Sequence, residues 1–241
     1  MNIAIIFAGG SGVRMGAGMP KQFLEINGKP IIIHTLDNFQ NNPLIDKIYV
    51  ACKKEYIQDL VLMTKRFGIT KVCGITEGGN TGQDSIYRGL KLALSENSRD
   101  SIVLLHDGVR PFVSEEVIEK NIKSVIEHGN AVTCTSIIET PIISKDGITA
   151  DDMPLKRETF IAQAPQSFYL GEIIDAHEQM RAINPTYTDI ADSCNLYMNL
   201  GKKMYIVEGN RGNIKVTTPE DFYILRALLQ YRENEQILGL R

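Results

Sequence analysis

The chain of 241 residues is long enough for one large α/β domain, and its 43% hydrophobic and 23% charged residues are ordinary for a globular protein. A net charge of −3 gives no electrostatic support for general binding to nucleic acid or a membrane surface, so an anion site needs a local concentration of Arg and Lys. The N-terminus has no basic targeting segment, no apolar run approaches the roughly 18 residues of a membrane span, and the four cysteines form no C-x-x-C pair. We therefore expect a cytoplasmic protein with reduced cysteines.

The first predicted strand runs directly into a glycine-rich loop. Residues 3–8 are apolar, and residues 9–16 read GGSGVRMG. Glycines let backbone N–H groups approach a ligand closely, and Arg14 and Lys21 supply positive charge for phosphate. The dinucleotide fingerprint fails at Met15, and no Gly-Lys-Ser/Thr follows, so neither that motif nor a P-loop is present. The loop favours phosphate binding, with a plain tight turn as the alternative.

Strands alternate with helices as far as residue 136. Strands are predicted over residues 45–51, 70–75, 101–106 and 131–136, and helices over residues 30–39, 55–67, 84–94 and 115–128. This alternation predicts a doubly wound, mostly parallel sheet. In such a sheet, ligands bind beyond the carboxyl ends of the strands.

The alternation stops between residues 137 and 163. Residues 142–149 are predicted to form a β-hairpin with Asp146-Gly147 as its turn. Because an isolated hairpin is only marginally stable, this arm is expected to pack on something else, such as a second subunit. Beyond it, helices are predicted over 171–180 and 189–199, a strand over 203–207, and a last helix that starts at Pro219 with Thr218 as its N-cap. We predict one domain with an arm.

A second glycine loop follows the third predicted strand. Gly78, Gly79 and Asn80 precede the helix that contains Ser85. The first and third loops are expected to line one pocket, in which backbone groups and the Asn80 amide read a base edge. A helix N-cap preceded by flexible glycines is the alternative.

Two further segments carry candidate charges. Asp107 follows an apolar strand and suits Mg²⁺, which takes one or two carboxylates plus substrate phosphate oxygens, although a local ion pair with Arg110 is the alternative. Lys215 lies between Ile214 and Val216, and in an extended segment its side chain points away from both, which predicts a site. Thr188 and the aspartate after it are weaker candidates, because helix capping by either residue fully accounts for their presence.

Taken in order, these blocks resemble the cytidylyltransferase family of 2-C-methyl-D-erythritol 4-phosphate cytidylyltransferase and ribitol-5-phosphate cytidylyltransferase. The matching segments are residues 8–16, 20–23, 106–112, 165–168 and 213–217. The resemblance implies a Rossmann-like sheet with a dimerising arm. It also implies Mg²⁺-dependent transfer of CMP from CTP to a polyol phosphate, which gives a CDP-polyol and pyrophosphate.

The resemblance assigns roles to individual residues. It implies that Arg14 and Lys21 hold the triphosphate, that Asp107 holds Mg²⁺, and that Lys215 acts with the two cations in catalysis. It implies a nucleotide site of Ala8, Gly9, Gly10, Gly12, Gly79, Asn80, Ser85 and Asp107. It implies an acceptor-phosphate site of Arg110, Thr188 and Lys215, with Thr140 and Lys156 reaching from the arm into the partner subunit's site.

Departures from the family pattern fall mainly on the acceptor side. Ala164 replaces a threonine, Gly82 stands where the family often has arginine, and Lys156 stands where it has arginine. Lys156 lacks the bidentate fork of arginine, and Arg157 next to it is a candidate substitute. Residues 8–10 read Ala-Gly-Gly, closer to the ribitol enzymes than to the Ala-Ala-Gly of the methylerythritol enzymes. The acceptor therefore stays open.

Two other functions stay open at this point. One is a nucleotidyltransferase for another sugar phosphate or base, and the other is a non-catalytic nucleotide-binding regulator. Retention of Lys21 and Lys215 argues against the regulator. A nicotinamide oxidoreductase is disfavoured by the failed fingerprint at Met15.

Overall fold

The computed structural model describes residues 1–10 and 19–238. Its strands are β1 (Asn2–Ala8), β2 (Glu25–Ile26), β3 (Lys29–Pro30), β4 (Lys47–Cys52), β5 (Val72–Glu77), β6 (Ile102–Asp107), β7 (Asn130–Ser136), β8 (Phe160–Tyr169) and β9 (Ile206–Glu208). Its α-helices are α1 (Ile31–Gln40), α2 (Ile57–Arg66), α3 (Gly82–Leu94), α4 (Glu115–His128), α5 (Leu170–Ile183), α6 (Ser193–Asn199) and α7 (Pro219–Leu238). None of the helices in this part of the chain combines the length and the apolar run needed to cross a membrane.

The main sheet of the described residues has seven strands in the order β5-β4-β1-β6-β8-β7-β9. Neighbouring strands are parallel except at β8, which is antiparallel to both β6 and β7. The predicted doubly wound, mostly parallel α/β sheet is confirmed. Chain order reverses around β1, because β4 and β5 lie on one side of it and β6 on the other.

Both faces of the sheet are covered by helices. Along β1, Ile3 and Ile5 face the core beneath α3, α5 and α6, whereas Ala4 and Ile6 face the core beneath α1, α2 and α4. All four side chains are fully buried. A strand with continuous hydrophobicity is therefore explained by burial on both sides.

The loops that carry candidate site residues lie at the carboxyl edge of the parallel strands. The segments after β1, β4 and β5 leave the sheet at this edge, and β6 ends there at Asp107. Because β8 runs the opposite way, its first half starts at the same edge. Residues distant in sequence therefore meet beyond the strand ends on either side of β1, where ligands bind in doubly wound sheets.

The sequence interpretation missed β8. Its second half is buried between β6 and β7, yet it contains Pro165, and proline is rare in a central strand because it cannot donate to the ladder. The Ala164–Pro165 peptide is cis. Opposite it, the register with β7 shifts between Val132 and Cys134, so the proline occupies an irregularity in the ladder.

The predicted arm is wrong in its details. Strand β8 begins at Phe160, so the segment outside the sheet spans residues 137–159. In place of a hairpin over 142–149, there is one antiparallel bridge between Ile143 and Asp152. The Asp146 carboxylate accepts backbone N–H groups in the intervening turn, so this turn is closed by a side chain rather than by a strand ladder.

Other boundaries differ by a few residues. The small hairpin β2–β3 was not predicted, although Asn27 and Gly28 at its turn both adopt positive φ and form a favoured hairpin dipeptide. Pro30 precedes α1 rather than opening it. Helix α6 begins at Ser193, because Asp192 caps it by accepting the N–H of Asn195.

Candidate active site

Asp107 is the centre of the candidate site. Its Oδ2 accepts the Nε–H of Arg110 at 2.8 Å, and its Oδ1 lies 2.6 Å from Nζ of Lys215. Burial alone would raise the pKa of Asp107, but the positive charges of Lys215 and Arg110 outweigh it and lower the pKa to about 2. The predicted local ion pair with Arg110 thus exists, but a cation from a remote segment completes it.

Lys215 is delivered by the extended segment before α7. Ile214 and Val216 pack with the apolar residues of α7, and the Val216 N–H donates to the carbonyl of Val109 at 3.0 Å. Arg110 Nη1 donates to the carbonyl of Asn213 at 2.8 Å. Two hydrogen bonds therefore tie this segment to the loop after β6, and the Lys215 side chain takes the face that the alternation predicts.

A pocket of about 660 Å³ opens at the carboxyl edge. The loops after β1 and β5 line it and are closely packed, because a Cβ added to Gly9 would lie 2.7 Å from Oγ of Ser85. The Gly79 N–H donates to the same hydroxyl at 2.9 Å, and that hydroxyl donates to the carbonyl of Thr81. Ser85 therefore joins the two glycine loops. Thr81 also caps α3, so the capping alternative is correct as well.

Among the described residues, lysines outnumber carboxylates in the lining of this pocket by four to three. Lys21, from a 3-10 turn over Lys21–Phe23, and Lys215 are joined by Lys53 and Lys54, which the sequence interpretation did not select. The sequence does indicate these two lysines, because both follow the second predicted strand and therefore lie at the carboxyl edge of the sheet. Carboxylates line the pocket too, among them Glu55, which lies 3.8 Å from Lys53.

Gln22 has a structural role that sequence reasoning also missed. Its buried Nε2 donates to the carbonyl of Ala8 at 2.6 Å and approaches that of Gly10 at 3.3 Å. These contacts fix the path of the chain as it leaves β1. In the sequence, Gln22 lies between Lys21 and Phe23 in the turn before β2, and nothing there distinguishes it from an exposed polar residue.

A second pocket of about 270 Å³ shares Asp107 and Lys215 with the first. Arg110 lines it near these residues, and one wall is formed by residues of β8. The wall and the segment leading into α6 contribute Ala162, Gln163, Ala164, Gln166, Ala191, Asp192 and Ser193. Two pockets that meet at one carboxylate and one lysine suit a reaction between two bound substrates.

His106 supports the site without lining either pocket. It is fully buried, and its Nε2 contacts the carbonyl of Arg110 at 3.0 Å. Burial lowers the pKa of His106 to about 4, so the ring is neutral at pH 7. A neutral ring that holds the Arg110 backbone agrees with the structural role expected from the sequence.

Some predicted site residues do not meet the others. Within the described residues, Thr140, Lys156 and Thr188 are exposed and line neither pocket. The Thr188 hydroxyl contacts that of Thr186 at 2.7 Å, in the loop between α5 and α6. Arg14 and Gly12 lie outside the described residues. By contrast, Ala8, Gly9, Gly10, Gly79, Asn80, Ser85 and Asp107 all line the first pocket.

Comparison with known proteins shows a match to one family along most of the chain. Residues 2–231 match the family described as IspD, 2-C-methyl-D-erythritol 4-phosphate cytidylyltransferase. A curated relative named ribitol-5-phosphate cytidylyltransferase, from Streptococcus agalactiae serotype III, is 47% identical over 241 residues, which cover 100% of both chains. One named 2-C-methyl-D-erythritol 4-phosphate cytidylyltransferase, from Clostridium botulinum strain 657, is 37% identical and covers 95% of this chain and 97% of its own.

A solved structure has the same fold. The 4-diphosphocytidyl-2C-methyl-D-erythritol synthase of Anaerococcus prevotii superposes with a TM-score of 0.81 at 29% identity. The alignment covers 95% of this chain and 96% of the other.

Proposed function

Since the chain belongs to the 2-C-methyl-D-erythritol 4-phosphate cytidylyltransferase family, we propose that it transfers CMP from CTP to a polyol phosphate. The observation that carries this proposal is the junction of the two pockets at Asp107 and Lys215. The larger, lysine-rich pocket takes CTP, and the smaller one takes the acceptor.

The reaction joins one acceptor phosphate oxygen to the α-phosphorus of CTP. The bond from that phosphorus to the pyrophosphate oxygen breaks, so the products are a CDP-polyol and pyrophosphate. Two anions must approach each other, and the protein's main task is therefore positioning and charge stabilisation. Lys215 lines both pockets and neutralises charge where they meet, and Lys21 and Arg14 serve the triphosphate.

Asp107 acts through the groups it holds. As an ionised carboxylate it fixes Lys215 and Arg110 in place, and Arg110 lines the acceptor pocket. We assign the acceptor phosphate to these two cations. The resemblance also assigns Thr188 to this phosphate, although Thr188 lines neither pocket in this structure.

The Asp107 carboxylate is a suitable ligand for Mg²⁺. The described residues contain no cluster of three or more His, Cys, Asp or Glu side chains that would hold a metal ion without substrate. Mg²⁺ is commonly bound by one or two carboxylates with substrate phosphates and water. Each Asp107 oxygen already contacts one cation, Arg110 or Lys215, and keeps a second acceptor position that an ion beside the triphosphate pocket would use. A bound ion would supply charge neutralisation and orient the pyrophosphate leaving group. EDTA should abolish turnover and added Mg²⁺ should restore it.

Ribitol 5-phosphate is the acceptor we propose. The relatives that carry this substrate in their name have the higher identity, 47% against 37%. Ala162 and Ala164 on the β8 wall leave width for a polyol chain. Both arguments concern the identity of the acceptor and leave the assignment of CTP unaffected.

We also propose a homodimer formed through the arm. Residues 137–159 and the start of β8 expose a run of large apolar side chains: Ile138, Ile142, Ile143, Ile148, Met153, Leu155, Phe160 and Ile161. Such an apolar surface is typical of a protein–protein interface. In the dimer, Thr140 and Lys156 enter the partner's acceptor site. Light scattering tests this: the wild type should be a dimer and Ile142→Asp a monomer. A monomeric wild type would contradict the proposal.

The cellular location that we propose is the cytoplasm. Cys52, Cys73, Cys134 and Cys194 are all free thiols in the structure. Free thiols are typical of proteins in reducing compartments. Fractionation of cells that produce the protein tests the proposal.

A substrate panel tests the proposed reaction. CTP, ATP, GTP and UTP are each combined with ribitol 5-phosphate, 2-C-methyl-D-erythritol 4-phosphate or glycerol phosphate, and pyrophosphate release is measured with Mg²⁺ present. The expected result is turnover with CTP and ribitol 5-phosphate. Preference for another nucleotide, or no release with any pair, contradicts the proposal.

A further inference from the structure

The second pocket carries opposite charges at two different depths. At the carboxyl edge it is lined by Arg110 and Lys215 around Asp107. Further down, the carboxylate of Asp192 lines it. An acceptor with a phosphate at one end would be drawn to the two cations and repelled by Asp192, so the charges favour one orientation of the acceptor.

The pairing of β6 with β8 sets the spacing between these two charges. Leu105 pairs with Gln166, which places Gln166 two residues deeper along the strands than Asp107. Two residues of strand correspond to about 7 Å. Gln166 Nε2 donates to Oδ2 of Asp192 at 2.9 Å and so ties that carboxylate to this part of β8. A chain of several carbons is needed to reach from the cations to Asp192.

Two hydrogen bonds hold the Asp192 carboxylate in place, yet it can still accept further hydrogen bonds. Its Oδ1 accepts the N–H of Asn195 at 2.8 Å, and its Oδ2 accepts from Gln166. Gln166 is only 5% exposed and is itself fixed, because its Oε1 accepts the N–H of Cys194 at 2.8 Å. An ionised carboxylate has about four acceptor positions, so roughly two are left for donors from a ligand.

Resting on the proposed function, we infer that Asp192 is the specificity-determining residue that binds the hydroxyls of the acceptor's polyol chain. A carboxylate can only accept hydrogen bonds, and a chain with a hydroxyl on each carbon offers donors at every position. The two candidate acceptors differ in reach, because ribitol 5-phosphate has a five-carbon chain and 2-C-methyl-D-erythritol 4-phosphate a four-carbon chain with one hydroxyl fewer. With the phosphate held at the cations, the shorter chain brings fewer hydroxyls to Asp192, so Asp192 favours the five-carbon polyol phosphate.

Two substitutions separate this role from helix capping. Asp192→Asn and Asp192→Ser both remove the charge and keep a residue that caps helices well. We expect the KM for ribitol 5-phosphate to rise about 10–100-fold, as for the loss of a charge-assisted hydrogen bond. The KM for CTP should stay within about twofold, and the preference for ribitol 5-phosphate over 2-C-methyl-D-erythritol 4-phosphate should fall by about tenfold or more.

The control is Asp100→Asn, the same change at an exposed aspartate that lines neither of the two pockets. It should leave both KM values and the acceptor preference unchanged. Thermal unfolding of each variant establishes that it is folded before kinetics are compared.

The outcomes distinguish this inference from the proposed function. If the wild type turns over no polyol phosphate with CTP, the proposed function and this inference are both overturned without any variant. If the wild type is active and both Asp192 variants keep its KM for ribitol 5-phosphate and its acceptor preference, only the role of Asp192 is overturned. An equal rise in the KM for CTP would make Asp192 a structural residue, and that result also overturns the inference.

Discussion

Nζ of Lys215 lies 2.6 Å from Oδ1 of Asp107, and this contact joins the segment before α7 to the end of β6. It sits where the two pockets meet. The charge at this junction depends on both residues. The lysine side chain is 45% exposed, so a substrate can reach its positive charge, and the buried carboxylate gives that charge a fixed position.

Replacing Lys215 by methionine should lower kcat by about 10²–10³, as for the loss of one preorganised group that stabilises transition-state charge. Methionine keeps much of the length and apolar bulk of the lysine stem, so the packing of Ile214 and Val216 should survive. Steady-state kinetics check this, with Lys120→Met on the exposed face of α4 as the control. An unchanged kcat would remove Lys215 from the catalytic machinery.

Asp107→Asn should destabilise the protein in a pH-dependent way. The pKa of Asp107 is about 2 in the folded protein, below the ordinary value near 4, so the ionised carboxylate stabilises the fold above the unfolded-state pKa. That contribution is lost as the pH falls through the folded-state pKa. Urea unfolding should therefore show a gap between wild type and variant of roughly 2 kcal/mol at pH 6 that shrinks between about pH 4 and pH 2. A gap that stays constant with pH contradicts the assignment.

Local patterns were enough to predict much of the fold and part of the site. Apolar strands followed by capped helices gave the parallel half of the sheet, and the alternation around Lys215 gave the correct face for its side chain. The contact between Lys215 and Asp107 depends on strand order, which periodicity does not encode. The hydrogen bonds of Gln22 to the Ala8 and Gly10 carbonyls also depend on tertiary structure that local patterns do not encode.

The missed elements have a common physical cause. Pro165 gave β8 the signature of a loop, and only burial between two neighbouring strands overrides that local preference. In the arm, the Asp146–Gly147 turn formed as predicted while the ladder around it did not. A turn can be read from two residues, but a ladder needs a packed face, and the arm's apolar side chains are exposed within this single chain.

Gly9→Ala should weaken CTP binding by disturbing two loops at once. The new methyl would lie 2.7 Å from the Ser85 hydroxyl, which accepts the Gly79 N–H. Displacing that hydroxyl moves the loop after β5, and we expect the KM for CTP to rise by about tenfold, equivalent to roughly 1.4 kcal/mol. Gly10→Ala meets no atom within 4 Å among the described residues and should have a smaller effect. Equal effects of the two substitutions would contradict the proposed crowding.

Ala164→Thr should narrow the acceptor pocket without affecting CTP. Ala164 is 4% exposed on the β8 wall, and its carbonyl accepts the Asn213 amide at 2.6 Å, so the backbone is held and the larger side chain must project into the pocket. We expect kcat/KM for ribitol 5-phosphate to fall by about tenfold, with less loss for the shorter glycerol phosphate, because overpacking penalises the longer acceptor more. The KM for CTP is the internal control. A uniform loss across acceptors, or a parallel rise in the KM for CTP, would show that β8 had shifted and that Ala164 does not set the width of the acceptor pocket.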